Sequence, residues 1–124
     1  MNRIKILILA LLLLSGCDFD VFGSSTKDII GSYELKQWED FKTYYLYGPQ
    51  DTGWGAIDGT VDRIGWNIRY ILVLQNDDGN GSGWRIIDSK TDIVSPLLTY
   101  PDVKANPNVS NINVQSAVVA WNSL

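Results

Sequence analysis

Few residue types in this chain could carry out acid–base or nucleophilic chemistry. Its 124 residues include no histidine and one cysteine, which excludes a Ser/His/Asp triad, a Cys/His pair, an imidazole metal site and a thiolate zinc cluster. Two carboxyl groups with separated pKa values could hydrolyse a glycosidic bond. Acidic pairs that lie close in sequence include Glu39/Asp40, Asp58/Asp62 and Asp77/Asp78. Their spacing selects no pair, and such charges are mostly exposed, so we expect no enzyme.

A second candidate is the segment of Asp, Asn and Gly residues at 76–83. Asp78, Asn80 and Ser82 occupy alternate positions with Gly83 sixth, as in the first half of a calcium loop. The twelfth position, which should be a bidentate Glu, is Ser89. The composition is more typical of a hairpin turn, and an ion or ligand module stays the alternative. We therefore predict no metal and no cofactor.

Aromatic side chains are candidates for binding rather than catalysis. Trp54 lies among three glycines in residues 51–59, and Tyr44, Tyr45 and Tyr47 fall on both faces of one extended segment. Trp and Tyr are enriched among the energetically dominant residues of protein interfaces. We interpret Trp54, Tyr45 and Tyr47 as partner-binding candidates. The alternative is that Trp54 folds back over the core and that the tyrosines pack within the sheet.

The first seventeen residues predict an exported chain. Arg3 and Lys5 form a basic start, residues 6–14 are an unbroken apolar run, and Ser15-Gly16 precede the sole cysteine, Cys17. This arrangement is typical of a secretory signal. Nine apolar residues span about half of a hydrocarbon core, so we predict that residues 1–16 are a cleaved signal peptide rather than a transmembrane helix.

Leu14-Ser15-Gly16-Cys17 resembles the lipobox of bacterial lipoproteins. The resemblance implies that the Cys17 thiol receives a diacylglycerol and that the new amino terminus is acylated, which anchors the chain in a membrane. Asp18 is similar to the signal that keeps lipoproteins at the inner membrane, facing the periplasm; the outer membrane is the alternative in a host without this rule. From the residues alone, an ordinary signal with a chance cysteine and a linker role for Asp18 stay open.

Beyond the signal, the sequence predicts one small domain. Residues 17–28 show no sustained period and contain Gly23-Ser24-Ser25-Thr26, so we expect a lipidated N-terminus and tether, followed by a folded domain over residues 29–124. Without residues 1–16 the chain keeps 8 basic and 14 acidic side chains, a net charge of −6. Its sequence has no Lys/Arg cluster for phosphate contacts, so nucleic acid is not an expected partner.

A period of two dominates the first part of that domain. It predicts strands over residues 31–38 and 42–47 with a turn at Glu39-Asp40, an extended stretch over 60–64, and a central strand over 66–75 that is apolar on both faces. Residues 76–83 should turn into a partner strand over 84–88.

The last third has a weaker pattern. Pro96, Pro101 and Pro107 interrupt any long helix. Ile112 and Val114 fit a short strand, and Ser116 is placed to cap a last helix, although Val118-Val119 also fit a strand. The face shared in that helix consists of Ala117, Ala120, Trp121 and Leu124. The predicted fold class is α+β, mainly an antiparallel β-sheet with one short C-terminal helix.

Several short stretches resemble a family of short, functionally uncharacterised bacterial lipoproteins. They are Gly31-Ser32-Tyr33-Glu34-Leu35, the pattern Val-x-x-Ile-x-Trp-Asn-x-x-Tyr-Ile over residues 61–71, Trp84-Arg85-Ile86-Ile87-Asp88 and Pro96-Leu97. The chain departs from that family after Leu97, where members tend to carry an acidic helical segment and this sequence reads Thr99-Tyr100-Pro101. The resemblance implies a lipid-anchored domain and brings no activity with it.

Together these features predict a lipid-anchored periplasmic lipoprotein that acts as a non-enzymatic protein-binding or envelope accessory module. One alternative is an immunity protein that neutralises an antibacterial toxin, since an acidic domain steers a basic partner. The other is a periplasmic hydrolase that uses a carboxylate pair.

Overall fold

The computed structural model describes residues 25–49, 55–77, 79 and 81–124. In these residues the chain forms two antiparallel sheets and two short helices. The small sheet has the order β1 (Ser25–Asp28), β2 (Glu34–Gln37), β3 (Tyr44–Tyr47). The large sheet has the order β7 (Ile93–Val94), β6 (Gly83–Asp88), β5 (Tyr70–Asn76), β4 (Thr60–Trp66), β8 (Gln115–Ser116), and the helices are α1 (Tyr100–Ala105) and α2 (Ala117–Ser123). The predicted α+β class is confirmed.

The central strand of the large sheet is buried on both faces, as its sequence indicates. Ile71 and Val73 of β5 face a core shared with the small sheet and α2. Leu72, between them in sequence, faces a second core on the other side of the large sheet. Helix α1 places Val103 on that second core. The predicted hairpin between residues 66–75 and 84–88 is present as the β5–β6 pair, with Leu72 opposite Ile86.

The predicted strand over residues 66–75 is wrong at its start. Asn67 interrupts it, because its side-chain Oδ1 accepts hydrogen bonds from the backbone N–H groups of Arg69 (2.9 Å) and Tyr70 (2.7 Å). Such local bonds compete with strand pairing. The chain therefore turns between β4 and β5, and Ile68, which was expected on a sheet face, is 93% exposed at the turn.

The folded part begins before residue 29, so the predicted tether over residues 17–28 is too long at its end. Strand β1 pairs with β2 in the register Ser25 opposite Gln37 and Asp28 opposite Glu34. Its inward position holds Lys27, whose Nζ donates to the carbonyl of Trp121 (3.0 Å) and lies 4.6 Å from the indole centroid. The polar sequence carries no apolar alternation, which is why the strand was missed.

Helix α1 lies where the sequence suggested only interruption by proline. Thr99 and Asp102 form a capping box, and Pro101 lies in the first turn, where its missing N–H has no intrahelical partner in any case.

The end of the domain differs in detail from the prediction. The short strand is β8 rather than Ile112–Val114, and both of those side chains pack against the second core. Helix α2 buries Ala117, Ala120 and Trp121, as predicted. Ser116 is at the N-cap position but makes no side-chain capping bond, and Leu124 is 38% exposed. In the described part of the chain, neither helix is long and apolar enough to cross a membrane.

Candidate functional site

The small sheet has one buried face and one outer face. On β2 and β3, Leu35 and Leu46 are fully buried, and Tyr44 is buried with its hydroxyl accepting from the Gln37 amide (3.0 Å). Since side chains alternate along a strand, Tyr45 and Tyr47 lie on the outer face, where both are half-buried. The structure thus separates the three tyrosines into one core residue and two surface residues.

The outer face carries three aromatic rings and one lysine. We call it the aromatic face, and its residues are Lys36, Trp38, Tyr45 and Tyr47. Trp38 meets Tyr45 edge to face at 6.0 Å between centroids. The Nζ of Lys36 lies 5.0 Å from the centroid of Tyr47, within the range of a cation–π contact. Trp38 is 43% exposed. Trp38 is not a candidate from its sequence position, because it lies at the end of its predicted strand.

The loop between β2 and β3 (residues 38–43) is held by one carboxylate. Asp40 accepts from the N–H groups of Lys42 (2.9 Å) and Thr43 (2.8 Å) and from the Thr43 hydroxyl (2.5 Å). The bond from the Thr43 hydroxyl, with the two backbone bonds, holds the pKa of Asp40 below its usual range. Trp38 and Thr43 close the loop through a backbone bond of 2.8 Å.

Phe41 is displayed at the tip of this loop. It adopts φ 58°, and it is 65% exposed. A left-handed backbone is a real outlier for a bulky residue. Strain of this kind persists where the surroundings impose it and is concentrated at functional sites. Nothing in the sequence marks Phe41 as a surface candidate. The feature that distinguishes it is its backbone angle, in a loop held by the bonds to Asp40.

The candidate carboxylate pairs have separate surroundings. Asp58 makes a long ion pair with Arg85 (3.4 Å), and Asp62 is an exposed residue at an irregularity of β4. Glu39 and Asp40 belong to the loop just described, and Asp40 is stabilised as a carboxylate, the opposite of what a general acid needs. Asp77 accepts from the N–H of Gly79 (2.9 Å).

Residues with metal-binding groups do not converge in the described ranges, where no cluster of three His, Cys, Asp or Glu side chains occurs. Asp78 of the candidate calcium loop is outside those ranges. So are Cys17, Asp18 and Trp54, and what the sequence predicts for them stays a prediction.

A small cavity between the sheets contains the most strongly shifted phenol. It is lined by Tyr33, Gly48, Ala56, Asp92 and Val94. The Tyr33 hydroxyl donates to Asp92 Oδ1 (2.8 Å), and burial, aided by that bond, raises the pKa of Tyr33. The phenol therefore keeps its proton. It connects the small sheet to the loop before β7 and acts as a structural brace.

A buried polar cluster lies under the large sheet. Gln75 is fully buried, and its Oε1 accepts from Arg85 Nε (2.8 Å), while Arg85 Nη1 donates to the carbonyl of Ser95 (2.9 Å). The Gln75 amide nitrogen has no hydrogen-bond partner among the described residues. The cluster fixes Arg85 across β5 and β6 and is separate from the aromatic face.

No family model, curated protein or solved structure matches the chain. The resemblance to short lipoproteins therefore depends on the quoted stretches. Of these, the pattern over residues 61–71 spans the β4–β5 hairpin, with its Asn67 forming the turn.

Proposed function

We propose that the protein is a lipoprotein, anchored through Cys17 at the periplasmic side of the inner membrane, and that it binds a protein partner through its aromatic face without catalysing a reaction. The observation that carries the proposal is the half-exposed array of Trp38, Tyr45 and Tyr47 beside Lys36. Rigid aromatic side chains provide large contact area at low entropic cost.

The backbone of the small sheet supports this surface. Tyr45 and Tyr47 belong to β3, which is at the edge of the three-stranded order, and they lie opposite Lys36 and Glu34 in the register. Pairing with β2 thus fixes the backbone of Tyr45 and Tyr47, and contacts with Trp38 and Lys36 restrict their rings. A preorganised surface loses less freedom when a partner binds.

The binding surface is tested by site-specific photocrosslinking in the protein's own cells. A photoreactive residue replaces Tyr45 or Tyr47 in separate variants and Tyr100 in the control, since Tyr100 is 52% exposed and packs near Trp84 on the large sheet. We expect one protein to crosslink at position 47 and not at position 100. Absence of a specific crosslink at positions 45 and 47 would overturn the partner-binding proposal.

The anchor is tested separately by labelling with radioactive palmitate. We expect label in the wild-type chain and none in Cys17→Ala, and we expect Asp18→Ser to move the protein between membrane fractions in a host that uses the aspartate rule. An unlabelled wild-type chain would contradict the lipoprotein assignment whatever the crosslinking result.

An immunity protein is the sharper form of the same proposal. The net charge of −6 that follows cleavage would attract a basic toxin over long range. In that case, the crosslinked protein at position 47 should be a basic toxin, and deletion of the chain should sensitise cells that produce it.

A further inference from the structure

The loop at residues 38–43 lies at the end of the small sheet where the chain enters the fold. In the antiparallel register, Ser25 is opposite Gln37, whereas Asp28 is opposite Glu34 at the other end. Strand β1 therefore starts next to Trp38, the first residue of the loop. Any anchor that precedes Ser25 is attached on the side of Trp38 and Phe41, not on the side of Tyr47.

The connection from the anchor is short. Cys17 precedes Ser25 by eight residues, which sets an upper limit of about 28 Å on the distance between them. With the lipid of Cys17 in the bilayer, the loop is within one linker length of the membrane surface. The aromatic side chains of the loop, Trp38 and Phe41, are thus held at high local concentration next to the lipid.

The chemistry of the loop suits the interfacial zone of a membrane. Aromatic rings are enriched where hydrocarbon meets headgroups, and Phe41 and Trp38 are the exposed rings of this loop. The loop carries Glu39 and Asp40 against Lys42. Both Asp40 oxygens are hydrogen-bonded within the loop. With no excess of positive charge, attraction to anionic lipid is not expected to drive the contact.

We infer that this loop is a second membrane contact, in which Phe41 and Trp38 enter the bilayer interface and orient the anchored domain. The inference depends on the proposed lipid anchor. It divides the aromatic face between two contacts: Trp38 lies at the membrane end, and Tyr45 and Tyr47, toward the opposite end of the small sheet, are left for the protein partner. It also gives a use to the strained backbone of Phe41, which projects the ring beyond the hydrogen-bonded loop.

The test uses the lipidated protein in phosphatidylcholine vesicles. The lipid occupies the thiol of Cys17, so Phe41→Cys introduces the only reactive thiol, which is then labelled with an environment-sensitive fluorophore. Ile68→Cys, at the exposed turn of the large sheet, is the matched control. Glu39→Cys is a second probe of the same loop that leaves both aromatic rings in place.

We expect phosphatidylcholine with a spin label near the headgroup to quench the probe at positions 41 and 39 by about twofold more than at position 68. Replacement of part of the lipid by phosphatidylglycerol should leave the difference unchanged. Equal quenching at all three positions in vesicle-bound protein would overturn the inference.

Failure of the anchor is distinguished by flotation. Wild-type protein that does not float with vesicles contradicts the proposed lipoprotein itself. Protein that floats but shows no excess quenching at positions 39 and 41 contradicts only the loop contact. Phe41→Asn, which suits a left-handed backbone, should keep flotation and the fold while the quenching of a probe at position 39 falls.

Discussion

The backbone angle of Phe41 predicts an inverted order of stability between alanine and glycine. At most exposed positions alanine is the more stabilising of the two, because glycine loses more conformational freedom on folding. At φ 58° the Cβ of alanine is a steric liability that glycine lacks. Phe41→Ala and Phe41→Gly both remove the ring, so the lost ring contacts cancel when the two variants are compared.

The size of the inversion follows from two opposing terms. A left-handed backbone costs an L-residue about 1–2 kcal/mol, and glycine costs about 0.5–1 kcal/mol in chain entropy relative to alanine. We therefore expect Phe41→Gly to have a free energy of unfolding higher than that of Phe41→Ala by up to about 1.5 kcal/mol. At Ile68, which has no positive φ, the order should be the usual one.

Urea denaturation of the four variants under one set of conditions measures these differences. Equal m-values are required, since they show that the exposed surface on unfolding is unchanged. If Phe41→Ala proves more stable than Phe41→Gly, the backbone at this position is not strained, and the argument that the ring is held at a structural cost for a function fails. If glycine is also more stabilising than alanine at Ile68, the order at position 41 does not report on the backbone angle of Phe41.

Three further predictions concern the packing of the two cores. Trp121→Ala should lower the free energy of unfolding by about 3–5 kcal/mol, whereas Val118→Ala, on the exposed side of α2, should change it by less than about 0.5 kcal/mol; urea denaturation checks both. Tyr33→Phe should cost about 1 kcal/mol at neutral pH. Because the folded pKa of Tyr33 is raised, its contribution is complete below the ordinary tyrosine pKa of about 10 and declines as the pH rises above it. Unfolding curves at increasing pH should show this decline in the wild type and not in Tyr33→Phe. Gly65→Ala should destabilise by about 1–3 kcal/mol, since a Cβ there would collide with the carbonyl of Asn113, and thermal unfolding measures the loss.

Much of the fold follows from side-chain alternation. The buried Leu35 and Leu46 and the doubly buried β5 are direct consequences of where apolar residues fall in the sequence. The misplaced elements have specific causes. Asn67 breaks the expected strand through its side-chain amide, and β1 pairs through its backbone while carrying a lysine inward.

Helix α1 could have been predicted from the sequence. Thr99, Pro101 and Asp102 form a helix start signal, but the proline was interpreted only as an interruption. The site could be predicted in part, because side-chain alternation places Tyr44 and Tyr45 on different faces, as in the structure. The exposure of Phe41 could not be predicted from the sequence. Its position depends on three hydrogen bonds to Asp40, and no periodic pattern in the sequence indicates them.

The contact between Lys27 and Trp121 joins residues that are 94 positions apart. Closing a loop of that length costs entropy before the core is complete, and such long-range contacts slow folding. Until Trp121 has been synthesised, Tyr44 lacks its ring contact with that residue, and the core between the two sheets lacks the side chains that α2 contributes. The core is thus completed by the last residues of the chain, and a nascent domain that still lacks them exposes apolar surface to proteases and to aggregation.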